Sequence, residues 1–334
     1  MEFDHYRAIR EELNKAGCFS SSNAHGLSWC VAELLTVVGM MVLSYHYWTN
    51  VVLYVVFQCL AGMSMFKCFV LMHECGHRVL FRSERLNHVF GLLLSLFCLV
   101  PYVPWMYVHR QHHVWTGVVD KDPSAELNLR LMRYSRLSKF FVKWLYKAWI
   151  PVSAIGLIYF IYWCYPFKNW KVDRRAALKG GACVLLIVVV HVTIATMLGL
   201  YNYLLCMLLG FTVYLYIFDT VNLAHHSGLY LYSSKQKNRP IPIREQDECT
   251  RSTPLSKRLS FFVCYNFNFH TEHHYYPNLP FQHLAKVHDL VLQFGVRSYQ
   301  QDGFVSFVAK LRRDDPVAYY LSTLPKKEDL PLEL

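Results

Sequence analysis

Charge is scarce in this 334-residue chain. Only 17% of its residues are charged and 54% are hydrophobic, with a mean hydropathy of +0.19. That composition excludes an ordinary soluble domain, yet it keeps too much charge for a channel built only of membrane spans. An integral membrane protein with a substantial aqueous part is expected. Cys-x-x-Cys pairs are also missing among the 11 cysteines, and Cys30, Cys59, Cys68, Cys98, Cys164, Cys183 and Cys206 sit inside apolar runs. They read as small hydrophobes, which excludes a disulfide framework or a thiolate zinc site. The N-terminal MEFDHYRAIREELNKAG has no basic-then-apolar layout, so no cleaved signal is expected and the chain is expected to begin in the cytosol. There is no internal repeat, low-complexity tract or Gly/Ser linker. No single basic arm is present: the net charge of +11 is spread beside apolar stretches. An anionic lipid leaflet is therefore the expected partner, not nucleic acid.

Long apolar runs are what the chain has instead. Four of them, about 27–47, 51–72, 182–200 and 203–221, approach the ~20 residues needed to cross a bilayer. YWTN at 47–50 and GLYNY at 199–203 join them in pairs, which predicts two tight helical hairpins. Runs 89–108 and 149–166 carry Pro101, Pro104, Pro151 and Pro166 and many aromatics, so they are expected at the interface or as re-entrant segments. The basic segments 78–88, 110–147 and 168–179 then share one side, the cytosolic one, by the positive-inside tendency. The predicted fold is an all-α membrane protein of four spans with interfacial helices and a cytosolic helical cap. Residues 1–26 form a cytosolic N-terminal segment, 27–290 the membrane domain and 291–334 a cytosolic tail whose end, LPKKEDLPLEL, is expected to fray.

Histidine is concentrated. Ten of the 17 lie in HECGH (His73 to His77), HRQHH (His109 to His113), NLAHH (Asn222 to His226) and HTEHH (His270 to His274). On a helix, residues three and four apart share one face about 5–6 Å apart, so each group aims its imidazoles at one point. A single zinc takes three or four ligands, so this many imidazoles imply two metals. Imidazole suits Zn, Cu, Fe and Ni alike. The Glu-x-x-His pairs of a soluble di-iron bundle are missing from the apolar runs.

HECGH, HRQHH and HTEHH occur in the order HxxxH, HxxHH, HxxHH, and the last continues as YYPNLPFQHLAKVH. At these residues, over about 27–290, the chain resembles the integral-membrane fatty acid desaturases. The resemblance implies two non-haem irons, O2 as co-substrate, a fatty acyl substrate linked to lipid, CoA or carrier protein, and an external electron donor, cytochrome b5 or ferredoxin. It implies nine ligands: His73, His77, His109, His112, His113, His226, His270, His273 and His274. Asn222 would act on the metal through water, and His225 competes with His226. Glu74, Glu272, Asp219 and Asp120 are candidates to hold the far N–H of ligand rings. Trp105, Tyr107, Trp115 and Tyr265 are candidate walls of an acyl tunnel. The expected enzyme is an O2-dependent acyl desaturase with its site on the cytosolic face of a bacterial inner membrane or the endoplasmic reticulum. An acetylenase, hydroxylase or carotenoid oxygenase of the same superfamily is the alternative. A transport or metal-binding protein is disfavoured because His46 and His191 are nearly the only polar residues noted within the spans.

Overall fold

The computed structural model describes residues 4–331, and among them the regular structure is helical, without a β-strand. The helices that matter for function are α1 (Asn23–His46), α2 (Val51–His77), α3 (Glu84–Cys98), α4 (Tyr102–Trp115), α5 (Arg174–Leu198), α6 (Leu200–His226), α7 (His270–Tyr275), α8 (Phe304–Arg313) and α9 (Pro316–Thr323). Helices α1, α2, α5 and α6 are long and apolar enough to span a membrane. Three of the four starts are written in the sequence as side-chain caps. Ser22 accepts from His25 N, Asn50 from Leu53 N and Asp173 from Ala176 N, each satisfying one of the open amides of a first turn.

Helix ends depart from the hydropathy reading in an informative way. Helix α2 continues through His77 and α6 through His226, five residues beyond the predicted ends at 72 and 221, and α5 begins at Arg174 rather than 182. At 27 residues each, α2 and α6 run ~40 Å, against a hydrocarbon core of ~30 Å. The histidine-bearing turns are thus the surplus length of the spans. Run 89–108 breaks into α3 and α4, which meet at a bend of 102°. Leu99, at φ 52°, and Pro101 separate them. The run 149–166 yields the apolar stretch Val152–Trp163, which rises only ~18 Å and is too short to cross.

The chain divides into two compact units: residues 20–107 with 158–218, and residues 4–19 with 108–157 and 219–331. The first holds most of the spans. Gln58 on α2 is buried, donating to Ser44 Oγ (2.7 Å) on α1 and to the Cys206 carbonyl (2.9 Å) on α6, and accepting from Gly210 N (2.6 Å). A Cβ on Gly62 would lie 2.4 Å from the Gly210 carbonyl, so glycine lets α2 and α6 touch. Glu33 on α1 accepts from Ser64 Oγ (2.5 Å) and pairs with Lys67 Nζ (3.2 Å) on α2. Polar groups within the spans are therefore more numerous than His46 and His191, and these satisfy one another, as they must where water is absent. His191 Nε2 donates to the Leu96 carbonyl (2.8 Å), one of the open acceptors at the end of α3, while its Nδ1 accepts from Tyr203 O–H (2.9 Å). That histidine has a structural partner on each nitrogen.

The second unit carries most of the histidines. Its C-terminal residues are ordered into the fold: Leu330 packs with Val119, Ala125, Leu129 and Tyr230, and the Asp329 carbonyl accepts from Ser233 Oγ (2.6 Å). The expected fraying of LPKKEDLPLEL is corrected over 324–331, because burying one leucine anchors the segment; 332–334 lie outside the described residues.

Candidate metal centre

Within the second unit two histidine groups form. His109 and His113, one turn apart on α4, meet His273 of α7: the Nε2 atoms of His113 and His109 are 3.0 Å apart, and those of His273 and His113 also 3.0 Å. The other group joins His112 of α4, His226 of α6 and His270 and His274 of α7, with ligating nitrogens within 4.8 Å of one another. Here His270 Nε2 lies 2.7 Å from His226 Nε2 and 3.1 Å from His274 Nε2. The i, i+3, i+4 pattern of HRQHH thus sends its middle histidine to one group and its outer pair to the other. HTEHH divides likewise: His273 goes to the first group, His270 and His274 to the second.

The far nitrogens decide what the near ones can do. His112 Nδ1 faces Asp122 Oδ2 at 2.8 Å, His274 Nδ1 faces Gln246 Oε1 at 2.9 Å, and His226 Nδ1 faces the Cys249 carbonyl at 3.3 Å. A carboxylate, an amide oxygen and a carbonyl only accept, so each ring carries its proton on Nδ1 and turns a bare Nε2 lone pair inward. The bare lone pairs of His226 and His274 both point at His270 Nε2, at 2.7 and 3.1 Å, and a single ring proton cannot serve both. A nitrogen-liganded metal fits this donor set, and the closed arrangement suits an imidazole-seeking ion.

In the first unit, HECGH occupies the last turn of α2, with the His73 and His77 rings 4.6 Å apart and His73 Nδ1 3.1 Å from Glu74 Oε1. Trp105, proposed above as a tunnel wall, packs 5.3 Å from the His73 ring. A Cβ on Gly76 would come within 2.3 Å of that indole. The glycine of the box is thus where an aromatic face rests. Gly76→Ala is expected to cost about 1–3 kcal/mol through overpacking, read as a lower unfolding temperature of the solubilised protein; an unchanged midpoint would refute this reading.

Other residues singled out in the sequence have different partners. Glu272 is wholly buried between two histidines of its box, but Oε1 accepts from Tyr299 O–H (2.6 Å) and His288 Nδ1 (2.7 Å), and Oε2 accepts from Ser252 Oγ. Asp219 pairs with Arg312 and accepts from Ala154 N (2.7 Å). These carboxylates are held by groups other than the box histidines because each is buried and needs its own donors. Asp120 binds Ser234, while Asp122, two residues on and unremarked in the sequence, takes His112. The signal was present: Asp122 precedes a proline and caps the turn at Ser124 N (2.9 Å). Gln246 and Cys249 carried no such signal. His225 falls outside both groups and stacks on His270 with ring centroids 3.9 Å apart. Asn222 lies one turn before His226 on α6.

Burial first, and then the neighbouring imidazoles, hold His270 and His274 well below the usual imidazole value of 6.5. A depressed folded-state value means that the neutral rings stabilise the fold fully above pH 6.5 and that this contribution is lost as pH falls towards the lower folded value. Metal binding needs the same neutral rings. Bound metal is therefore expected to survive desalting equally at pH 7.5 and 6.5 and to be lost only in more acid buffer. Release already complete by pH 6.5, measured as metal per protein, would contradict the buried geometry.

Comparison with known proteins agrees with the pattern. The fatty acid desaturase family model matches residues 27–302. Among similar proteins, the sn-1 acyl-lipid omega-3 desaturase (ferredoxin) of Synechocystis is 31% identical over 132 residues, 38% of this chain and 36% of that protein. The endoplasmic reticulum omega-3 fatty acid desaturase of Vigna radiata is 24% identical over 302 residues, 80% of this chain and 72% of its own length. The chloroplastic temperature-sensitive sn-2 acyl-lipid omega-3 desaturase (ferredoxin) of Arabidopsis thaliana is 23% identical over 284 residues, 80% of this chain and 63% of its own. The chain thus spans between about a third and about three quarters of these relatives. The match over most of its length, with the three histidine boxes in order, means that the chain belongs to the fatty acid desaturase family.

Proposed function

We propose that this protein is a membrane fatty acyl desaturase that inserts a double bond into an acyl chain at a histidine-held pair of irons. The single observation that supports the reading is the convergence of imidazole nitrogens in two groups, His109, His113 and His273 beside His112, His226, His270 and His274, with the Nε2 lone pairs of His112, His226 and His274 turned inward. The family pattern adds His73 and His77 as the remaining ligands, prefers His226 to His225, and gives Asn222 a role through water. Iron bound there would supply O2-dependent removal of two hydrogens from adjacent methylenes. O2, two electrons and two protons are consumed with the alkane bond, and an alkene and two waters result.

The chain's own contribution is positional. Asp122, Gln246 and the Cys249 carbonyl orient three rings, and the burial of His274 and His273 excludes bulk water. An acyl substrate linked to lipid, CoA or carrier protein, and an external donor of the cytochrome b5 or ferredoxin kind, complete the reaction. The basic segments 78–88, 110–147 and 168–179 support a cytosolic position for the histidines through the positive-inside tendency. Expression in a host without polyunsaturated lipids, followed by mass spectrometry of its acyl chains, is expected to show a new double bond. Hydroxylated or acetylenic products would assign the chain to a sister reaction, and unaltered lipids would count against acyl chemistry.

A further inference from the structure

Gln246 lies in the 3-10 segment Ile243–Cys249, which holds no histidine and falls in none of the four histidine groups. Its side chain is buried, 1% exposed. Nε2 donates to the His113 carbonyl at 2.8 Å and to the Ile241 carbonyl at 3.3 Å, while Oε1 faces His274 Nδ1 at 2.9 Å. The orientation of the amide is not free. Turning it over would set its oxygen against two carbonyl oxygens, so the NH2 must face them and Oε1 must face the imidazole. His274 can then meet Oε1 only as an Nδ1–H donor, which leaves its Nε2 deprotonated and aimed at His270 Nε2, 3.1 Å away. The His113 carbonyl is one of the four at the end of α4 that no helical amide can satisfy. One glutamine therefore ties the end of the HRQHH helix to a ring of the HTEHH helix. Its backbone is held in turn, with the Gln246 carbonyl accepting from Thr250 Oγ1 at 2.8 Å.

We propose that Gln246 is a positioning residue of the metal centre: it locks His274 in the ligating tautomer while pinning the end of the HRQHH helix beside it. This rests on the two-iron reading above. A buried glutamine that only filled space or closed the 243–249 turn would serve equally well with any side chain of its length, and the substitutions below separate the two roles.

The test is anaerobic Fe(II) titration of the full-length protein in detergent, with iron per chain, the Mössbauer spectrum and the metal-free unfolding midpoint recorded for each variant. Gln246→Leu removes both the acceptor and the donor. It is expected to weaken one of the two irons by about 10–100-fold, the usual cost of losing an outer partner of a histidine ligand, and to change the quadrupole splitting of that iron. Gln246→Glu keeps an acceptor for His274 Nδ1–H but loses the donor to the His113 and Ile241 carbonyls, and is expected to bind iron more tightly than the leucine variant and less tightly than wild type. Should the leucine variant not fold, Gln246→Met, of the same length, takes its place. Gln246→Leu or Gln246→Met with wild-type affinity and spectrum overturns the proposal. So does Gln246→Glu binding as weakly as the leucine variant, since the acceptor would then not be what matters. Wild-type protein that takes up no iron fails the two-iron reading itself and this inference with it.

Discussion

Replacing His273 with alanine is expected to lower product formation by more than about 100-fold, beyond the cost of losing an outer partner of a metal ligand. His273 is 2% exposed and its Nε2 stands 3.0 Å from that of His113, which is itself 3.0 Å from His109. Removing it opens a gap in the smaller group of the second unit, and no other side chain of α7 is free to fill it, since His270 and His274 face the other group. The loss should be confined to chemistry. His273 lies outside the spans, in a six-residue helix, so insertion and yield in the membrane fraction should match wild type while iron per chain falls. His109→Ala is expected to behave alike. Turnover retained with both irons loaded would remove these residues from the site.

The largest effect on stability is expected at a distance from the metal. Arg312 on α8 and Asp219 on α6 form an ion pair in which the side chains are 1% and 0% exposed. Arg312 also donates to the Tyr146 carbonyl at 3.0 Å and the Ile150 carbonyl at 3.3 Å, and its guanidinium lies 5.0 Å from the centre of the Trp149 ring. Arg312→Ala strands a buried carboxylate and is expected to cost about 3–5 kcal/mol; the two carbonyls keep their backbone donors, Trp149 N and Val152 N. Neutralising the partner in the same chain, as Asp219→Asn with Arg312→Leu, should recover much of that loss, because the uncompensated charge is the main cost. Asp219 sits two turns before His226 on α6, so the single variant should also retain iron less well. Unfolding in detergent checks both points. An Arg312→Ala protein as stable as wild type, or a double variant no better than the single one, would disprove this account.

This pair also shows where sequence reading stops. An acid near the end of an apolar helix is costly, and Asp219 stood out for that reason, but Arg312 lies 93 residues away and nothing local links the two. Asp122 and Gln246 are similar, being ordinary polar residues outside the long helices that become significant only beside His112 and His274. Glu272 shows the converse: its place between two box histidines suggested support for a metal site, and the buried side chain turns to Tyr299 and His288 instead.

The sequence by itself determined the apolar runs, the two hairpins and the three histidine boxes, because a bilayer fixes span length and a helix fixes which residues three and four apart share a face. Only the tertiary structure decided how HRQHH and HTEHH divide their imidazoles between two groups, that His226 and not His225 joins one of them, and which acceptors hold the rings. Those choices depend on contacts between residues far apart in the chain, set by how the helices pack, and no local spacing encodes them.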